Sequence, residues 1–124
     1  LRGEASPTLL SLLDTAVTAG GARQLRAWLG NPLRNQPALQ GRHGAVAELR
    51  ESRDLDALRA RLRGLVDVER IAARIALRTA RPRDLSGLRD SLALLPDIAD
   101  ALGGYGAALL AQARHNLRLP PALC

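Results

Sequence analysis

The chain has 124 residues and a formal net charge of +6, and all 18 of its basic side chains are arginine, since lysine, phenylalanine and methionine are absent. Without lysine these residues cannot form a Walker A phosphate loop, G-x-x-x-x-G-K-[ST], or carry Schiff-base chemistry. The length suits one domain, a composition of 47% apolar and 24% charged residues is globular, and no run of about 18 apolar residues is present to span a membrane.

Three isoleucines, four valines and four threonines leave little β-branched material for strands, whereas leucine, alanine and arginine are strong helix formers. An all-α fold is predicted, an irregular bundle of about seven short helices. The first spans Thr8 to Leu13, capped by Ser6 or Thr8 with Pro7 near its first turn, and its leucines are expected to be buried nearly all round. The second follows Thr18, sets Ala22, Leu25, Trp28 and Leu29 on one inward face, and stops at Gly30 with Pro32 beyond. Trp28 is thereby assigned to the core.

A third helix runs from Pro37 to Arg50, with Leu39, Val46 and Leu49 inward and His43 near that face. Leu55, Leu58, Leu62 and Leu65 then mark a helix capped by Asp54 and closed by Gly64. From Asp67 to about Arg78 a fifth helix carries Val68, Ile71, Ala72, Ile75 and Ala76 on its apolar face. Pro82 opens a longer helix with a stripe of Leu85, Leu88, Leu92 and Leu95, which Pro96 is expected to kink or restart before Ile98, Ala99 and Leu102. After Gly103, Gly104 and Gly106 a last helix covers Ala107 to Leu117, ahead of Pro120 and Pro121. The short loops predict mostly antiparallel neighbours around one core.

Candidate sites are few. Arg70, Arg74, Arg78 and Arg81 fall within about 80° of one another on a helical projection, so on one continuous helix they would form a ridge able to follow a phosphate backbone. The same spacing suits arginines that border an apolar face and pair with acids such as Asp67. Trp28 and Tyr105 are the only aromatics, too few for base stacking. Neither His43 nor His115 has a partner at metal-ligand spacing, and no nucleophile and base motif is present. Asp54, Asp67, Glu69, Asp84 and Asp97 lie near predicted helix starts, where carboxylates oppose the helix dipole. No catalytic, cofactor-binding or metal-binding residue is assigned. Leucine, alanine, arginine, glycine and proline supply 84 of the 124 residues. The last four have GC-rich codons, so arginine in place of lysine is weak evidence for a nucleic-acid ligand.

The sequence opens on Leu1, which reads as a segment excised from a longer polypeptide. The apolar run Leu9 to Leu13 is too short for a signal peptide, and the single cysteine, Cys124, cannot form an internal disulfide. A cytoplasmic location is expected.

Two segments carry a family resemblance. TLLSLLDTAVTAGGARQLRAWLGNPLRN, Thr8 to Asn35, resembles the start of the core domain of MutS, the bacterial mismatch recognition proteins, in its TLL-x-LLD, VT, G-x-R-x-L-x-x-WL and PLR pattern. DVERIAARIALRTARPRDLSGLRDSL, Asp67 to Leu92, is similar almost throughout to the same domain's D-x-ER-x-x-x-RIALR-x-ARPRDL-x-x-LR stretch, and GRHGAVAEL, Gly41 to Leu49, to the helix between them. Ala19 and Gly20 depart from the family's usual Pro-Met, and the match weakens past Gly103, leaving residues 103–124 as a tail leading toward the lever region. The resemblance implies a single helical domain over residues 1–124, the first part of the MutS core (domain III), acting as a scaffold between connector, lever and clamp, and ATPase regions and passing nucleotide state toward DNA binding. It also implies that ATP, ADP and Mg belong to the parent protein. Its partners would be the other domains of the same chain and, in the parent, mismatched duplex DNA, a second MutS subunit and MutL, with no membrane partner. The alternative is a free-standing basic helical module that binds nucleic acid non-specifically or a partner helix through the leucine stripe.

Overall fold

Short polar side chains set where the helices begin in the computed structural model, which describes residues 8–118. Thr8 caps α1 (Leu9–Leu13) in a reciprocal pair with Ser11, Thr18 Oγ1 accepts from Gly21 N at 3.0 Å to start α2 (Ala19–Gly30), and Asn35 Oδ1 accepts from Ala38 N at 3.1 Å to start α3 (Gln36–Glu51). Asp54 occupies the cap position of α4 (Leu55–Arg63) without a side-chain cap bond, whereas Asp67 caps α5 (Val68–Ala76) by accepting from Arg70 N. The order closes with α6 (Pro82–Ala101) and α7 (Ala108–Asn116). Among the described residues there are therefore six helices of nine residues or more, the single-turn α1, and no strand, which is the all-α bundle expected. Ser6, Pro7, Pro120, Pro121 and Cys124 lie outside the described residues.

The longest helix organises the rest. α6 packs on α4, α5 and α7, while α3 packs on α7 and α1 on α2. The core gathers Ala45, Leu58, Ile98, Leu102 and Leu110, one or two from each helix it joins, with Leu49, Leu62, Leu65, Leu94 and Leu117 half-buried around it. Close approach of α6 to the α4–α5 link depends on two small residues. A Cβ on Gly64 would meet Leu94 Cδ1 at 2.8 Å, and one on Gly87 would meet Val66 Cγ1 at 3.2 Å. Beside that approach Ser91, 1% exposed, accepts a hydrogen bond from Val66 N at 2.9 Å and so satisfies a linker amide.

Several expectations are corrected. The leucines of α1 are not buried: Leu12 is 69% exposed, because among the described residues this five-residue helix finds its main packing partner in α2 alone. Trp28 is 41% exposed, and its ring lies under the Arg42 guanidinium, 4.0 Å from the ring centroid, rather than in the core. Ala45 takes the inward place on α3 and Val46 faces out, as does His43. On α5 only Ile71 is buried, with Val68 and Ile75 exposed. The helix ends at Ala76, short of Arg78, which adopts a positive φ of 56°.

On α6 the helix runs through Pro96 without restarting, so Asp97 sits in its interior and not at a helix start. Packing of Leu94, Ile98 and Ala99 on both sides of Pro96 offsets the lost backbone bond. The inward line is Asp84, Ser91, Ile98 and Ala99, and Leu85, first of the leucine stripe, is 51% exposed. Ile98→Ala should accordingly lower unfolding free energy by about 2–5 kcal/mol in urea denaturation. Leu85→Ala should change it by less than about 1 kcal/mol, a contrast that would invert if the leucine stripe were the core seam.

Candidate functional site

Four arginines read as one ridge do not share a helix. Arg70 and Arg74 lie one turn apart on α5, Arg78 follows the end of that helix, and Arg81 is the cap residue of α6. Arg70 and Arg74 line a cleft of about 280 Å³ together with Arg83, a residue that sequence reasoning passed over, and with Val66, Asp67, Ile71 and Asp84. Arg78 and Arg81 are not among the residues lining it.

Arg74 is committed to the fold. Its NH1 donates to Asp84 Oδ1 at 2.7 Å, and Asp84 Oδ2 accepts from Arg81 N at 2.9 Å, so one buried carboxylate joins the end of α5 to the start of α6. The bond from the Arg81 amide, followed by the charge of Arg74, holds the Asp84 carboxyl below the usual carboxylate range against the opposing effect of burial.

Asp67 does not pair with the arginines of α5 but with Arg23 of α2. Arg23 NH1 and NH2 donate to Asp67 Oδ2 and Oδ1, both at 2.8 Å, in a two-pronged bond, and Arg23 Nε donates to Glu69 Oε2 at 3.0 Å. This pairing lowers the Asp67 carboxyl to about 2, with the Arg23 bond the largest cause, and raises the Arg23 guanidinium. Beside it lies an apolar cavity of about 320 Å³ between the start of α2 and the body, lined chiefly by Leu62, Leu65, Val68, Leu92 and Leu95.

A second cluster was also missed. Glu48 of α3 accepts from Gly106 N and Ala107 N, both at 2.7 Å, through its two oxygens, and Tyr105 Oη donates to Ser52 Oγ at 2.8 Å. Its signal in the sequence is negative. α7 starts at Ala108 and its cap residue Ala107 has no side chain that could accept a bond, so the amides around that start need an acceptor from elsewhere in the chain.

These contacts bind helices to one another. His43 and His115 are exposed, and among the described residues no group of three or more His, Cys, Asp or Glu side chains is placed to hold a metal ion. The absence of lysine denies the chain a P-loop of its own. No helix among the described residues is long and apolar enough to cross a membrane.

Because Asp67 and Asp84 are held below their unfolded values, what they add to stability is present above about pH 4 and is lost as pH falls through their lowered values, which for Asp67 is about 2. The melting temperature should be level from pH 5 to 7 with respect to these groups and should drop between pH 4 and 2. Arg23→Gln should make that acid limb shallower, and an unchanged limb would show that the pairing contributes nothing.

The model of MutS domain III matches residues 1–120, nearly the whole chain and beyond Gly103, where the resemblance in the sequence is weakest. The chain belongs to the MutS domain III family, the non-catalytic core domain of proteins that act in DNA mismatch repair.

Proposed function

We propose that this chain is the first part of the core of a MutS mismatch-recognition ATPase, a scaffold that links connector, lever and clamp, and ATPase regions and carries nucleotide state toward DNA. The observation behind this reading is the domain III match over residues 1–120. It is supported by the way the charged groups are used: Arg23, Arg74 and Glu48 each tie one helix to another. A mechanical part needs rigid helices joined at defined points, and these ties supply them. Residues 103–124 would lead toward the lever region. ATP, ADP and Mg would be held by other regions of the parent chain, which would work in the cytoplasm with a second subunit, mismatched duplex DNA and MutL.

Any contact with DNA made by this segment would be to the phosphate backbone. Arg70, Arg78 and Arg81 have exposed side chains available for it, whereas Arg74 is held by Asp84. The isolated chain should bind duplex DNA with a Kd on the order of 10⁻⁴ to 10⁻⁶ M, falling steeply in affinity with salt and indifferent to a mismatch. Anisotropy titrations with matched and mismatched duplexes at two salt concentrations measure this. A tenfold preference for the mismatch would contradict the scaffold reading and favour an independent nucleic-acid-binding module.

A graft tests the scaffold itself. With this chain in place of the corresponding segment of a full-length MutS protein, Ile98→Ala should weaken the effect of mismatched DNA on ADP release while leaving nucleotide affinity unchanged. Equal loss of nucleotide affinity would instead place the segment in the nucleotide site.

A further inference from the structure

The α1–α2 hairpin differs from the rest of the molecule in what holds it. Neither helix has a buried residue, and their substantial helix packing is with each other. Six large apolar side chains in and just after this hairpin are exposed, namely Leu9, Leu12, Leu13, Trp28, Leu29 and Leu33. Three arginine contacts cross from the hairpin to the body. Arg23 forks onto Asp67 and Glu69 at the start of α5, Arg59 NH2 of α4 donates to Thr15 O at 2.9 Å, and Arg42 of α3 covers Trp28. Two of these contacts are charged side chains meeting a carbonyl or an aromatic face. The strongest, at Arg23, is at the protein surface, where the Arg23 side chain is 46% exposed.

Beneath that contact the hairpin stands off from the body. The apolar cavity of about 320 Å³ separates Thr18, Gly20 and Arg23 from Leu62, Leu65, Leu92 and Leu95. Leucines that would close such a gap in a packed helix pair are only half-buried. The chain then leaves α2 through residues 31–35, which carry no regular structure, before α3 begins. An element with no buried residue, an irregular segment at 31–35 between it and the body, and a surface salt bridge to the start of α5 has the construction of a latched arm.

We propose that α1–α2 is an arm hinged at residues 31–35 and latched to the body by Arg23 on Asp67 and Glu69, so that breaking the latch frees the arm as a unit while the body stays folded. This rests on the scaffold reading for its use, since a hinged arm bearing exposed leucines is a means by which a core segment follows a neighbouring region. The latch is electrostatic and solvent-facing, so salt weakens it. It is not a pH switch near neutrality. Arg23, Glu69 and Arg70 are the charged groups that face Asp67, whose carboxyl is held at about 2.

Hydrogen exchange of the full chain, read by mass spectrometry, tests the latch without any MutS partner, so its outcome is independent of the graft experiment. Arg23→Gln should speed exchange of the α2 amides Ala22–Gly30 by about three- to tenfold and leave those of Leu92–Leu102 in α6 unchanged. Raising salt from 50 to 500 mM should produce a similar change in the wild-type chain and little further change in the variant, and Arg23→Lys should restore part of the protection. Far-UV circular dichroism should stay constant, because the released α2 opens more often yet remains helical most of the time. Unchanged α2 exchange would overturn the proposal, as would acceleration spread equally over α6 or a loss of helix content matching α2.

Discussion

Burial of one face of α6 is the constraint on which the rest of the structure depends. A chain without phenylalanine or methionine has little bulk to place between helices, and here one twenty-residue helix meets α4, α5 and α7. Its buried face changes character along its length. Near the start the inward residues are Asp84 and Ser91, which accept from Arg74, the Arg81 amide and the Val66 amide. Toward the end they are Ile98, Ala99 and Leu102, which meet Ala45, Leu58 and Leu110. Matched polar groups hold α5 in place, and apolar contact holds α3, α4 and α7. The two halves need different chemistry because α5 brings one buried side chain, Ile71, whereas the opposite end gathers leucines from several helices.

The arginine excess has a use within this framework. Arg23, Arg42, Arg59 and Arg74 make contacts within the chain itself, on carboxylates, a carbonyl and an indole ring. A guanidinium presents several donors in a plane and can therefore span two acceptors, as Arg23 does with Asp67 and Glu69. The positive charge that suggests a nucleic-acid ligand is in part a set of struts between helices. That use agrees with the family's position as a non-catalytic core, where joining elements at fixed points is the requirement.

Helix number and most boundaries could be read from the sequence because caps and breakers are local. Thr18, Asn35, Asp67, Pro82 and the glycines after Leu102 act within a few residues of themselves, and each marks an end close to where it lies. Facing directions were harder. Val46, Ile75 and Leu85 satisfy an apolar period, yet helical spacing alone does not say which part of a broad stripe meets a neighbour: Ala45 and Ser91 are buried instead of Val46 and Leu85, and Ile71 alone of its stripe is buried. The four arginines do not share a helix for a related reason, since the projection continues a helix past Ala76, where α5 ends. Contacts between distant positions, Arg23 with Asp67 and Glu48 with Ala107, left no pattern along the chain, although the uncapped start of α7 implied that some acceptor had to arrive. The family was legible where function was not, because the blocks from Asp67 to Leu92 record a shared fold and not a reactive group.

Two kinds of cohesion follow, an apolar one around α6 and an electrostatic one at the α1–α2 hairpin, and Trp28 as the single tryptophan reports on the second alone. Urea unfolding followed in parallel by Trp28 fluorescence and by far-UV circular dichroism separates them most directly, at low and at high salt. The fluorescence midpoint should lie below the dichroism midpoint and move lower still as salt is added, while the dichroism midpoint holds. Coincident transitions at both salt concentrations would contradict this.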